Sequence, residues 1–297
     1  MAAIRHRNTN TDNIMETVTT LTGLRSHTRS WRTQDSRVAF VPTMGNLHAG
    51  HLKLVRHARA IADHVAVSIF VNPMQFGQNE DYANYPMTLE QDKAALMDGD
   101  ADLLFMPAVS EMYTGGLGQT TQVVVPGLNT VLEGEFRPTH FNGVTTVVAK
   151  LFNMVQPDIA VFGEKDFQQL LIIRRMVSDL AMPIAIEGVA TMREADGLAM
   201  SSRNSYLSTD ERAIAPQLYQ TLLDVRDIVL NGEHDPAAVE QAAMDQLREA
   251  GFEPQYFSIR RCTDLSLPES EQDERVVLAA AMLGVTRLID NVRVSVT

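Results

Sequence analysis

The sequence predicts an α/β protein: an open, doubly wound domain built on a parallel sheet, followed by a smaller α+β domain. Three observations carry this. Short apolar runs alternate with amphipathic helical stretches between residues 37 and 190. Polar and ionisable residues recur just past the ends of the apolar runs. After residue 191 the alternation stops, and helical segments are followed by a run of strands.

The elements follow in order. "RVAFV" (37–41) reads as a buried strand. "HAGHLKLVRHARAIAD" (48–63) reads as a helix with Leu52, Val55, Ala58 and Ala62 on one face, and "HVAVSIFV" (64–71) as a second strand. Together they form a βαβ unit with parallel strands. "TLEQDKAALMDG" (88–99) is a predicted helix opened by a Thr88–Gln91 capping box, and "ADLLFMP" (101–107) a third strand. Residues 108–140 are less regular and rich in glycine. A helix over 141–157, a strand over 158–163, a helix over 165–181 and a strand over 183–190 complete five strands. Beyond a boundary near 191, a Ser208–Glu211 capping box and an Asp235–Pro236 start mark two helical stretches. Three strands follow: "QYFSIRRC", "RVVLAAAML" and "TRLIDNVRVSV". The predicted domains are thus 15–191 and 192–297. Residues 1–14 are set outside the fold as a polar extension, with Met15 a candidate start.

Composition narrows the function classes. The chain has 297 residues, 45% apolar and 21% charged, as expected for globular rather than disordered or fibrous chains. No apolar run approaches the eighteen or so residues of a membrane span, and no secretory h-region precedes residue 15. A lone cysteine, Cys262, excludes an internal disulfide or a CxxC zinc site and makes the cytoplasm the expected compartment. A formal net charge of −12 argues against a nucleic-acid partner. A small anion needs only a local positive pocket.

Three clusters could form that pocket. His48 and His51, three apart at a helix start after a strand, lie where unpaired N–H groups and the helix dipole favour phosphate. Gly45 and Gly50 would let backbone approach a ligand. Taken alone, the pair reads more readily as a helix-start histidine beside a packed one; its position after a strand in a βαβ unit puts the two readings on an equal footing. "FGEKDFQQL" (162–170) places Lys165 at a strand's carboxyl end, with Asp166 suited to ribose hydroxyls and Gln169 to a substrate. Asp166 would serve equally as an N-cap. "MSSRN" (200–204) offers two hydroxyls and a guanidinium for polyphosphate oxygens, or is an ordinary polar linker. Taken together along the chain these are the parts of an ATP-using nucleotidylyl transferase, which stabilises charge at the α-phosphorus.

Longer motifs sharpen this. "PTMGNLHAGH", "SIFVNPMQF", "LEGEFRPTHFNGVTTVVAKLFN", "QPDIAVFGEKDFQQL" and "READGLAMSSRN" closely resemble the pantoate–β-alanine ligase family, from about Met15 to the C-terminus. HxGH alone is shared with the whole nucleotidylyl transferase superfamily. The resemblance implies a Rossmann-like first domain, a C-terminal lid, and a homodimer formed through the first domain. It implies condensation of (R)-pantoate with β-alanine, driven by ATP with Mg²⁺, through a pantoyl adenylate. His48, His51, Lys165 and Arg203 would carry catalysis. Gly163, Asp166, Met192, Met200, Ser201 and Ser202 would bind ATP together with Met44, His51, Lys165 and Arg203. Met44, Gln75 and Gln169 would hold pantoate, with Asn72, Glu133 and Arg137 lining the same cavity. Asp92 matches the acidic position for Mg²⁺, although Gln91 stands where another acid can occur. Ala199 replaces the first lysine of related synthetases, leaving Lys165 the principal cation. Two other readings remain open: an adenylyltransferase acting on a phosphorylated acceptor, and a non-catalytic nucleotide-binding scaffold.

Overall fold

The structure, a computed structural model, describes residues 15–78, 80–232, 235–270 and 272–294. The expectation for residues 1–14 lies outside them. In chain order the elements are β1 (Glu16–Val18), α1 (Leu21–Thr33), β2 (Val38–Thr43), α2 (Ala49–Ile61), β3 (His64–Ile69), α3 (Leu89–Asp98), β4 (Leu103–Phe105), α4 (Val109–Met112), α5 (Glu133–Phe136), α6 (His140–Val155), β5 (Ile159–Gly163), α7 (Phe167–Asp179), β6 (Ala185–Val189), α8 (Thr209–Ile214), α9 (Gln217–Leu230), α10 (Pro236–Glu249), β7 (Glu253–Arg261), β8 (Arg275–Leu283) and β9 (Thr286–Val294).

β1 to β6 form one sheet in the order β1-β4-β3-β2-β5-β6, every pair parallel. Side chains alternate across a strand, so each strand feeds two cores. Phe40, Ala66, Leu103, Phe105, Ala160 and Phe162 pack on one face with Val144, Phe152, Leu170 and Ile173 of α6 and α7. Ala39, Val41, Val65, Val67, Leu104 and Ile159 pack on the other with Val55 and Ala58 of α2 and Leu96 of α3. Burial on both faces is why these strands read as continuous apolar runs. This is the doubly wound sheet expected, with β1 and α1 as unforeseen additions. β1 is three residues at a sheet edge with an exposed, polar start, too short to register as a period.

Two local expectations change. Thr88 precedes α3 but makes no cap bond. Its hydroxyl donates instead to Asp92 Oδ1 at 3.0 Å, because a tertiary contact claims that carboxylate. The long helix expected after Ser208 breaks at Pro216 into α8 and α9, while the Ser208–Glu211 capping box is present.

β7, β8 and β9 form an antiparallel sheet in sequence order. One face packs Val277, Ala279, Leu288 and Val292 against α9 and α10 through Leu218, Leu222, Ala243 and Leu247. From the other face, Val276 and Leu278 join the core of the parallel sheet. Among the described residues no helix is long and apolar enough to cross a membrane.

The sheet order has a functional consequence. From β2 the chain builds outward through β3 and β4, then returns to place β5 on the opposite side of β2. The direction of winding therefore reverses between β2 and β5, which pair at Ala39–Ile159 and Phe40–Ala160. A crevice opens at the carboxyl ends of strands at such a point.

Candidate active site

His48 and His51 flank this crevice after β2. His48 is the N-cap of α2 and His51 its third residue. The two imidazoles cap the helix reciprocally. The Gly50 N–H donates to His48 Nδ1 at 3.1 Å, and the His48 N–H to His51 Nδ1 at 3.3 Å. A ring nitrogen that accepts carries no proton, so each neutral ring bears its hydrogen on Nε2. Burial, reinforced by Lys165, lowers His48 to about 4. Burial, then His48 and Lys165, lowers His51 to about 3. Both are neutral donors near pH 7. Gly50 makes room for the ring rather than for a ligand: a Cβ there would lie 2.8 Å from His48 Cε1.

Asp92 secures this turn from behind. Its carboxylate accepts from the Asn46 and Leu47 amides at 2.9 and 2.8 Å and from Thr88. It is buried and absent from the crevice wall.

Across the switch point, β5 ends at Gly163 and a single 3-10 turn, Glu164–Asp166, precedes α7. Lys165 projects from this turn into the crevice. Among the described residues its ammonium has no hydrogen-bond or ion-pair partner. Asp166 precedes α7 without a side-chain cap bond, so its carboxylate is available to the crevice. Gln169 also lines it. Gln168 lines it too, but its amide is engaged, donating to the Leu128 and Val131 carbonyls at 2.8 Å and accepting from the Glu133 amide.

The segment after β3 supplies the third wall. Asn72 is wholly engaged: it donates to Gln75 Oε1 and the Gly143 carbonyl at 3.1 Å and accepts from the Tyr113 hydroxyl at 2.6 Å. It stands behind the wall and holds Gln75, whose amide hydrogens face Met44 Sδ at 3.3 Å. Gly143 lets α6 approach this turn closely. His140, buried, donates from Nδ1 to the Gln75 carbonyl at 2.9 Å; burial and Arg137 lower it to about 4.

Arg137 clamps Glu80 through Nε at 2.9 Å and a second nitrogen at 2.5 Å, and reaches Glu133 at 3.3 Å. Glu133 also takes Arg287 at 2.6 Å. Burial alone would raise the Glu133 carboxyl, but Arg287 and Arg137 outweigh it and hold it below its ordinary value. Glu133 and Arg137 are therefore part of a buried charged frame rather than a surface pair.

The fourth wall is the segment after β6. Met192, Met200, Ser201, Ser202 and Arg203 all line the crevice. The Ser202 hydroxyl donates to the Asn46 carbonyl at 3.0 Å, tying this segment to the histidine turn. Arg203 forks onto Asp81 at 2.9 and 3.2 Å. Burial raises the Asp81 carboxyl, but Arg203 outweighs it and leaves it low.

The walls enclose about 620 Å³, within the ordinary range for a small-molecule site. The structure brings together every site residue expected from sequence except Asn72 and Asp92, which buttress the wall from outside it. Sequence reading missed Glu80, Asp81, His140, Gln168, Tyr256, Arg287 and Asn291. Among these only His140 and Gln168 lie inside quoted motifs beside residues that were assigned. The others become visible only through contacts across the fold. Among the described residues no group of three or more His, Cys, Asp or Glu could hold a metal ion. Asp92, its oxygens taken by backbone amides and Thr88, does not fit as a Mg²⁺ ligand.

The sequence profile of the family described as pantoate-beta-alanine ligase matches residues 16–293. This chain belongs to that family. A pantothenate synthetase of Hahella chejuensis is 52% identical over 94% of this chain and 99% of its own length. One from Thioalkalivibrio sulfidiphilus is 55% identical over 94% and 98%. A crystal structure of pantothenate synthetase from Thermus thermophilus superposes with a TM-score of 0.87 at 46% identity, covering 94% of this chain and 99% of that one. The Francisella tularensis pantoate-beta-alanine ligase, complexed with Beta-gamma ATP and beta-alanine, superposes at 0.81 with 32% identity over 96% and 99%.

Proposed function

We propose that this chain joins (R)-pantoate to β-alanine at the cost of ATP, giving pantothenate, AMP and diphosphate. A pantoate carboxylate oxygen attacks the α-phosphorus, and the bond to diphosphate breaks. The β-alanine amine then attacks the acyl carbon of the mixed anhydride, AMP leaves with the bonding electrons, and the amine sheds a proton. A carboxylate becomes reactive to an amine only once its oxygen is part of such a leaving group.

The observation that carries this reading is the opposition of two neutral imidazoles and an unpaired ammonium across the switch point. His48, His51 and Lys165 line the same crevice, and the lysine's charge adds to burial in keeping both rings neutral. A phosphate between them meets Nε2–H donors on one side and a cation on the other, a fixed field for charge developing in transfer. Ser201, Ser202 and Arg203 take the β- and γ-phosphates. Gly163 and Asp166 hold the adenosine, with Met192 and Met200 beside it. Gln75 and Gln169 hold the pantoate oxygens, and Met44 packs on its methyl groups. Glu133 and Arg137 keep the Gln75 side of the pocket rigid. Enclosure shields the anhydride from water. Mg²⁺ would accompany ATP and offset phosphate charge; Asp92, its carboxylate already engaged by the Asn46 and Leu47 amides and Thr88, would not hold it.

We place the domain boundary at 191/192, with residues 192–297 as the lid, and infer a cytoplasmic homodimer; light scattering of the purified chain giving twice the 32.9 kDa monomer mass tests the latter. The decisive activity test is exchange of labelled diphosphate into ATP. It should require pantoate and give way to AMP release when β-alanine is added. Exchange with a phosphorylated acceptor but not with pantoate would overturn the assignment.

A further inference from the structure

Lys165 rides on a turn that the parallel sheet anchors only through β5. The turn is held a second time, from far along the chain. On β9, Asn291 directs its side-chain amide at two successive carbonyls: Nδ2 donates to the Glu164 oxygen at 2.9 Å and to the Lys165 oxygen at 2.8 Å. One planar amide with two hydrogens spans both acceptors, which fixes their relative orientation as well as their position. Two residues on, and so on the same face of β9, Arg293 reaches Glu164 Oε1 at 3.1 Å.

Asn291 is itself immobilised. It is 7% exposed. Its own N–H donates to Asp290 Oδ1 at 2.8 Å. Its carbonyl accepts from Arg193 at 3.3 Å, and Asp290 holds that guanidinium at 2.5 and 3.0 Å. Arg193 lies over the Tyr219 ring at 3.5 Å. The strand therefore grips the lysine turn through Asn291 and Arg293 and the segment leading to Ser201–Arg203 through Asp290.

We propose that Asn291 is the positioning residue for Lys165: the antiparallel sheet is a built-in part of the phosphate site, setting the lysine turn rather than only covering the pocket. The inference rests on the role given to Lys165 above. A four-methylene side chain transmits any rotation of its turn to the ammonium, and small displacements of a charge-stabilising group weaken the transition state far more than substrate binding.

The test is a double-mutant cycle on the full chain, read as single-turnover diphosphate release from ATP and pantoate. Asn291→Ala should lower the rate about 10- to 100-fold. The KM for pantoate should stay within about threefold, since Gln75 and Met44 lie on another wall. In a Lys165→Ala background the same substitution should cost less than about twofold, because its effect passes through the missing ammonium. Asn291→Leu, close in size and uncharged, repeats the measurement should Asn291→Ala fail to fold; melting temperatures identify that case. Equal proportional losses in both backgrounds mean a general structural tie and overturn the inference, as does a native rate for folded Asn291→Ala or Asn291→Leu with Lys165→Ala impaired. A native rate for Lys165→Ala instead removes the lysine's role, and the inference with it.

Discussion

Substituting Gly143 by alanine separates two opposed effects in one position. Gly143 lies inside α6, where alanine is favoured over glycine by about 0.5–1 kcal/mol. Propensity alone therefore predicts a more stable protein. The packing predicts the reverse. A Cβ at 143 would lie 2.3 Å from the Met74 carbonyl oxygen and 2.6 Å from the Gln75 nitrogen, where about 3.0 Å is the closest real approach. The turn Pro73–Gln75 must then retreat by at least 0.7 Å (3.0 minus 2.3). Its bonds from Asn72 to the Gly143 carbonyl and from His140 to the Gln75 carbonyl resist that movement. Overpacking of this kind costs about 1–3 kcal/mol, which exceeds the helix gain at most of its range. Gln75 moves with the turn. With about a hundredfold loss per ångström of misplacement, 0.7 Å gives about 10- to 30-fold in kcat/KM for pantoate, or about 1.4–2 kcal/mol. The KM for ATP should change less than about threefold, because the histidine and lysine turns are separate from this one. Pantoate-dependent diphosphate exchange, run against pantoate and against ATP, reads both, and a thermal melt reads the stability. A raised melting temperature with unchanged pantoate kinetics would refute the argument.

Other outcomes follow from the same contacts. Lys165→Ala should slow adenylation at least about a hundredfold, the cost of removing a transition-state donor, with an unchanged melting temperature; a near-native exchange rate counts against its role. Glu133→Gln leaves Arg137 and Arg287 facing a neutral amide and should destabilise the fold by about 3 kcal/mol or more, seen as a lower urea midpoint; a midpoint equal to wild type contradicts the buried frame. Asp92→Ala releases the Asn46 and Leu47 amides, so activity and stability should fall together while the Mg²⁺ concentration for half-maximal rate stays put; a large rise in that concentration would restore Asp92 as a ligand. His140 is lowered to about 4 from an ordinary 6.5, so between those values the unfolded chain binds a proton that the folded chain does not. Its contribution is complete above pH 6.5 and declines as pH falls, at up to about 1.4 kcal/mol per unit. Urea melts at pH 7, 6 and 5 should show a shallower decline in His140→Gln, and parallel declines in both proteins would disprove the assignment.

Much of the site was legible because it is local. A strand, a turn and a helix start are adjacent in the chain, so His48, Gln75, Lys165 and Ser201 could each be assigned to a strand's carboxyl end or an adjoining loop from periodicity and motif. Less legible was the direction of each side chain. Asn72 and Gln75 are three apart, yet Gln75 faces the pocket and Asn72 supports it from behind, and Gln168, three on from Lys165, spends its amide on the loop beside the pocket. That choice depends on Tyr113, Gly143 and the 128–133 loop, which no local period encodes.

By itself the sequence determined the alternation that produces a parallel sheet covered on both faces, the change to an antiparallel sheet after residue 191, and the chemical types gathered at the strand ends. Short-range pattern suffices there, because burial on one or two faces is written into every second or every third to fourth residue. Only the tertiary structure decided which charges neutralise which. Arg137 with Glu80, Arg203 with Asp81 and Asn291 with the lysine turn join residues 57, 122 and 126 positions apart. Such pairs form between whichever polar groups the packed elements bring within about 3 Å, and the chain carries no local mark of its partner.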